Sequence, residues 1–269
     1  MKKFTAIVLG VLLLLSFTGC DVLMQALEQS AGSSAPSQSE VVQGLKKALE
    51  VGTEYAVNQL HKKDGYFRNM AVKILLPPDV QNVLNTAMNN RTVKRLGLDR
   101  VLRRKVDDVV LAINRSAEAA AIEAKPIFVN TIRTMSIVDA YNILKGQDVT
   151  HKTQGFDSLA ATHYMEYKTR PQLFNLYKPK MEAALGRDLG LGFSANDAWN
   201  TAVKYYNNYV ATILRKPKIN YTLADYVTNK ALDGLFYMIG QEEKKIRKDP
   251  YKYSYDIIRR VFGYVKNNI

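Results

Sequence analysis

The stretch LDRVLRRKVDDVVLAINRSAEAAAIEA, residues 98–124, decides the fold. Leu98, Val101, Leu102, Val106, Val109, Val110, Ile113, Ala117, Ala120 and Ala124 recur at intervals of three and four, the period of a helix packed along one side. Leu111 and Ile122 fall on another side, so from Val109 onward the helix is apolar nearly all round. A helix of that kind belongs at the centre of a bundle. Yet Asn114, Arg115 and Glu118 stand within it, and a buried guanidinium or carboxylate is costly unless it is paired and hydrogen-bonded. The rest of the chain must supply partners.

A second helix, predicted over 223–248, offers them. Ala224, Val227, Ala231, Leu235, Met238 and Ile246 define its apolar face, and Glu242 lies on the same line. That carboxylate needs a cation, which Arg115 or Arg247 would provide. The expectation is one buried polar network of Asn114, Arg115, Glu118, Glu242 and Arg247, with Glu243 at its edge. Two readings compete: a structural pin that fixes helix register, or a ligand or catalytic site in which perturbed carboxylates act as acid and base. The enzymatic alternative is a metal-assisted hydrolase using Glu118 and Glu242. Helical bundles that hold two metal ions use Glu-x-x-His motifs, and the sequence has none; His61, His151 and His163 match no metal-ligand spacing. No nucleophile elbow, phosphate loop or dinucleotide fingerprint occurs. No catalytic residue, metal or cofactor is therefore predicted.

Outward from these two helices the periodicity continues, predicting helices at 39–63, 78–90, 98–124, 127–134, 137–145, 156–169, 172–185, 195–214, 223–248 and 255–266. Ser136 with Asp139, Ser194 with Asp197 and Thr222 with Asp225 have the spacing of capping boxes. Gly146 and Gly186 mark helix ends, while Pro126, Pro171 and Pro217 are expected to break or begin others. Val72 to Leu76, between Asp64-Gly65 and Pro77-Pro78, reads as one short extended segment near 71–77, and a single strand makes no sheet. The expected fold is all-α, one multi-helix bundle of nine or ten helices over residues 40–269. Tyr251, Tyr253 and Tyr255 alternate beside Pro250, more rings than a short linker buries, and are candidates to cover a groove.

The beginning of the chain has a different character. Lys2 and Lys3 precede an apolar run from Ala6 to Leu15, followed by small residues at Ser16, Thr18 and Gly19. This is the layout of a secretory signal over 1–19; the run is about half the length needed to span a bilayer. Phe17-Thr18-Gly19-Cys20 resembles the lipobox of bacterial lipoproteins, with Phe17 departing from the usual aliphatic residue. The resemblance implies cleavage before Cys20 and acylation of its thiol, an anchor that multiple chains make stable. Cys20 is the only cysteine, so no intramolecular disulfide is possible. Residues 30–39 are small and polar, completing a lipidated tether over 20–39.

The chain carries 38 Lys and Arg against 25 Asp and Glu, a net charge of +13 that falls to +11 without Lys2 and Lys3. In an exported protein that surplus does not point to nucleic acid; the expected partners are the membrane through the lipid anchor, anionic lipid or an envelope protein. Arg91, Lys94, Arg95, Arg100, Arg103, Arg104 and Lys105 form the densest run, either a solvated helix start or an anion-binding surface. A second stretch holds Lys244, Lys245, Arg247, Lys248, Lys252, Arg259 and Arg260. Both on one face would favour contact with a membrane surface. The expected function is a non-enzymatic cell-envelope lipoprotein facing the periplasm, a binding or structural protein that engages lipid or another apolar ligand.

Six segments carry a family resemblance: Asp64 to Phe67, Val72 to Pro77, Asn114 to Ala120, Met135 to Ala140, Ala231 to Phe236 and Glu242 to Pro250. Taken in order they resemble the bacterial lipoprotein family known as domain of unknown function 4197. What the resemblance implies is an exported, mostly helical domain; it brings no catalytic residues with it.

Overall fold

A computed structural model describes residues 35–150, 154–220 and 222–268. The expected signal, Cys20, most of the tether and His151 lie outside the described residues. Within them the fold is all-α, with two isolated bridges, Gln147 to Phe156 and Asp188 to Ser194, in place of any sheet. In chain order the helices are α1 (Gln38–Leu60), α2 (Pro78–Asn89), α3 (Arg91–Arg95), α4 (Leu98–Thr134), α5 (Ala140–Leu144), α6 (Ala160–Leu185) and α7 (Ala195–Tyr205). A π-helical turn (Tyr206–Val210) joins α7 directly to α8 (Ala211–Leu214), and α9 (Ala224–Lys248), a 3₁₀ turn (Pro250–Lys252) and α10 (Asp256–Asn268) follow.

Four long helices form an antiparallel ring, α1 to α4 to α6 to α9 and back to α1. Cross-contacts fix the directions. Arg133 and Lys125 of α4 pair with Glu50 and Glu54 of α1, while Tyr164 near the start of α6 donates to the Ser136 carbonyl just past the end of α4. Lys178 and Arg170 of α6 meet Asp225 and Asp233 of α9. As the apolar pattern requires, α4 is central, burying Val109, Ile113, Ala117, Ala120, Ala124 and Phe128 among others. Its early turns are covered by α2, α3 and α7, whereas α5 and α10 pack beside α1.

Several boundaries differ from the sequence reading, for identifiable reasons. Pro126 does not divide α4, and neither Pro171 nor Pro179 divides α6. A helical proline frees the carbonyl four residues back. Here those carbonyls belong to Ile122, Tyr167 and Asn175, all exposed residues where water can serve them. The helical body begins at Gln38, inside the expected tether, because Ser37 and Glu40 close a capping box. Of the three boxes expected, Ser194 with Asp197 forms. The other two helix starts have no side-chain cap: α5 begins at Ala140 after Asp139, and Asp225 instead reaches Lys178 at 2.7 Å. The five-residue helix α3, too short to show a period, is additional.

The segment at 73–77 is non-helical, and it finds a partner other than a strand. Ile74 N–H donates to Asn114 Oδ1 at 2.9 Å, and Asn114 Nδ2 donates back to the Ile74 carbonyl at 2.7 Å. A side-chain amide on α4 thus replaces one neighbouring peptide. Asn207 in the π turn holds Ile219 in the same way, at 2.9 and 3.0 Å.

Candidate functional site

The six residues expected to form one network occupy three separate places. The first is the face of α4 that carries Asn114, Arg115 and Glu118, against the connection after α1. Glu118 Oε1 accepts from the N–H groups of Tyr66 and Phe67 at 3.1 and 3.0 Å, and Oε2 receives Arg115 Nη1 at 2.6 Å. The other arm of the guanidinium reaches Asp64 Oδ1 at 2.7 Å, and the Phe67 ring lies beside it. The Arg115 hydrogen bond holds the Asp64 carboxyl below its ordinary range. His61 Nδ1 sits 3.0 Å from the Glu118 carbonyl.

Tyr66 explains why so many contacts are concentrated there. Its ring is fully buried between α4 and α9, and its hydroxyl donates to the Ala231 carbonyl at 2.8 Å. Burial pushes its pKa well above the usual phenol range, so it remains a neutral donor. Inserting that ring forces the chain through a tight turn in which Asp64 adopts φ 69° and Gly65 lies against the end of α1. A Cβ on Gly65 would approach the Gln59 and Leu60 carbonyl oxygens to 2.5 Å. Gly65→Ala should therefore destabilise the fold by about 1–3 kcal/mol, since these are backbone atoms. Chemical denaturation would show a lowered midpoint at unchanged slope; an unaltered midpoint would mean that the turn yields at no cost.

The second place centres on Glu243, which is 2% exposed. Its Oε1 accepts the Ala161 N–H at 3.0 Å and Arg247 Nη2 at 2.7 Å, with Arg247 Nε at 2.8 Å. Oε2 accepts the Thr162 N–H and hydroxyl at 2.8 and 2.6 Å. Arg247 continues to the Leu144 and Ile143 carbonyls at 2.6 and 2.9 Å. A carboxylate thus closes the N-terminus of α6 and a guanidinium the C-terminus of α5, the two ends at which those charges are favourable. Beside it His163 Nδ1 lies 2.8 Å from Asp157.

Glu242 stands in the third place, facing away from both. Lys245 Nζ at 2.9 Å and the Tyr253 hydroxyl at 2.7 Å are its partners. Neither Arg115 nor Arg247 supplies its cation: Arg247 is drawn to Glu243, one helical turn back on the same face. Glu118 and Glu242 share no hydrogen-bond or ion-pair partner among the described residues. No group of three His, Cys, Asp or Glu side chains among them is arranged to hold a metal ion.

The two basic stretches are far apart. Arg91 to Lys105 lies on α3 and the first turns of α4, mostly exposed, without an ion pair among the described residues. Lys244 to Arg260 lies at the end of α9 and the start of α10. With α4 extending roughly 55 Å at 1.5 Å per residue, and its far end packed beside the first turns of α1, the stretches occupy opposite ends of the bundle.

A family model described as Protein of unknown function (DUF4197) matches residues 35–263, which is most of the chain. The chain belongs to this family. No curated protein and no solved structure matches it. The DUF4197 match takes in all three places above, and the family description assigns them no chemistry.

Sequence reasoning groups Arg115 with Glu118 and Arg247 with Glu243, and these pairs form; it misassigns the cation of Glu242 and misses the partners outside the two helices. Ala161, Tyr66, Phe67, Ile143 and Leu144 contribute backbone atoms, which every residue has, so no residue type announces them. Asp64 and Thr162 were open to inspection, since each lies in a helix-to-helix connection or at a helix start where unpaired polar atoms need partners.

Proposed function

We propose that the chain is a non-enzymatic, lipid-anchored protein of the cell envelope, facing the periplasm and acting as a binding or structural module. The observation that carries the non-enzymatic reading is how fully Glu118 and Glu243 are engaged by groups of the chain itself. A carboxylate offers about four lone-pair sites. Glu118 spends both oxygens on two backbone N–H groups and Arg115, and Glu243 receives five donor contacts. Glu243 keeps no free position, and Glu118, with three of its four filled, keeps one. A hydrolase using Glu118 and Glu242 around one cation would need the two side chains to converge, and each has its own cation.

The anchor rests on Cys20 at the end of a signal-like segment. No helix among the described residues is long and apolar enough to cross a membrane, so acylation is the route to attachment that this reading requires. Cells expressing the full chain and fed an alkyne-bearing palmitate should yield a labelled protein in the membrane fraction. Cys20→Ala should abolish the label and release the protein from that fraction. Label persisting in the variant, or a wild-type chain found unlabelled in the cytosol, would overturn the anchor. Stoichiometric metal in a native mass spectrum of the purified protein would favour the hydrolase instead.

A further inference from the structure

Lys245, Lys248, Lys252 and Lys266 surround a cavity of about 470 Å³ that also includes Asp249 and Tyr253. The lysines outnumber the acids on its walls. Asp249 makes only long contacts, 3.6 Å to Lys252 and 3.9 Å to Lys266; Lys245 is taken by Glu242; Lys248 has no acidic partner among the described residues. Part of this excess is accounted for by the negative end of α9, which favours cations in its last turn. Lys252 and Lys266 stand likewise in the last turns of the 3₁₀ helix and of α10, so three helix C-termini bring their lysines to one place. Tyr251 and Tyr255 flank the cluster half-exposed, and Val138, 67% exposed, lies at the same end of the bundle. Tyrosines beside lysines, with an apolar side chain nearby, are what a lipid headgroup layer accommodates.

The chain's point of entry selects this end over the opposite one. The Pro36 carbonyl accepts from Tyr141 of α5, Gln38 reaches the Val138 carbonyl, and Glu40 pairs with Arg260 of α10 at 3.5 Å. A lipid attached at Cys20 therefore leads into the domain beside the lysine cavity, and the Arg91 to Lys105 run lies at the far end. We infer that the lysine cavity of α9, the 3₁₀ turn and α10 docks on the anionic phospholipid headgroups of the membrane that holds the anchor, orienting the bundle end-on. The inference rests on the lipid-anchor reading. It sets the Arg91 to Lys105 surface away from the bilayer.

The test is a lysine footprint of the acylated chain, purified from membranes and reconstituted into vesicles of phosphatidylcholine alone or with added phosphatidylglycerol. Each lysine near an anionic leaflet gains roughly fivefold in favour of contact, so Lys248, Lys252 and Lys266 should be acetylated several times more slowly in the anionic vesicles. Lys94 should react equally in both. Protection should vanish in high salt, and Lys248→Glu with Lys252→Glu should remove it at Lys266. A palmitate-labelled chain with no such pattern, or with protection at Lys94, overturns the docking surface alone; an unlabelled chain overturns the anchor on which it depends. Protection by millimolar inorganic phosphate without vesicles would make the cavity a small-anion site and also overturn docking.

Discussion

Glu243→Ala should lower stability by about 3–5 kcal/mol, or roughly 10 °C in Tm for a chain of this size. The substitution leaves Arg247, 9% exposed at its side chain, without its counter-charge. It also strips the Ala161 and Thr162 N–H groups of their acceptor at the start of α6. Glu243→Gln separates these contributions: the amide carbonyl still accepts from one set of donors, while the charge that balances Arg247 is lost. The expected order of stability is wild type, then Gln, then Ala. A thermal melt in which Ala matches wild type would show that water replaces the carboxylate at no cost, and the tertiary cap would then have no energetic role.

The same logic accounts for what could be read from sequence and what could not. Helical periodicity reports which side of an element meets the core, and it located α4 and α9, their apolar stripes and their out-of-place charges. Element ends were less legible because they depend on solvation: Pro126 and Pro171 free the carbonyls of Ile122 and Tyr167, which are exposed residues. The expectation of one network failed for a further reason. Asn114, Arg115 and Glu118 face the connection after α1, while Glu243 and Arg247 face the first turn of α6 and the last turn of α5, whose end groups have no helical partner. Arg115 neutralises Glu118 and Arg247 neutralises Glu243 within one helix each, and their remaining hydrogen-bonding capacity serves the neighbouring connection and helix ends. A polar group on an apolar stripe thus points to a nearby irregular segment as readily as to a charged partner on another helix.

Arg115→Ala should cost about 3 kcal/mol, because Glu118, 5% exposed at its side chain, loses its cation while keeping two N–H donors. Arg115→Lys should recover only part of this, since one ammonium cannot repeat the two-armed bridge between Glu118 and Asp64. The acid limb of a stability profile gives an independent check. Asp64 is held below its ordinary pKa by Arg115, so its contribution is fully present above the unfolded value near 3.9 and is lost as pH falls through the lower folded value. Arg115→Ala should remove that share of the acid dependence. Because the Arg115 and Glu243 clusters share no partner, the Arg115→Ala and Glu243→Ala penalties should add to within about 0.5 kcal/mol in the double variant. A single buried network, or one site drawing both carboxylates to a common ion, would instead produce a coupling above that figure. Additivity therefore distinguishes two independent structural pins from one cooperative site.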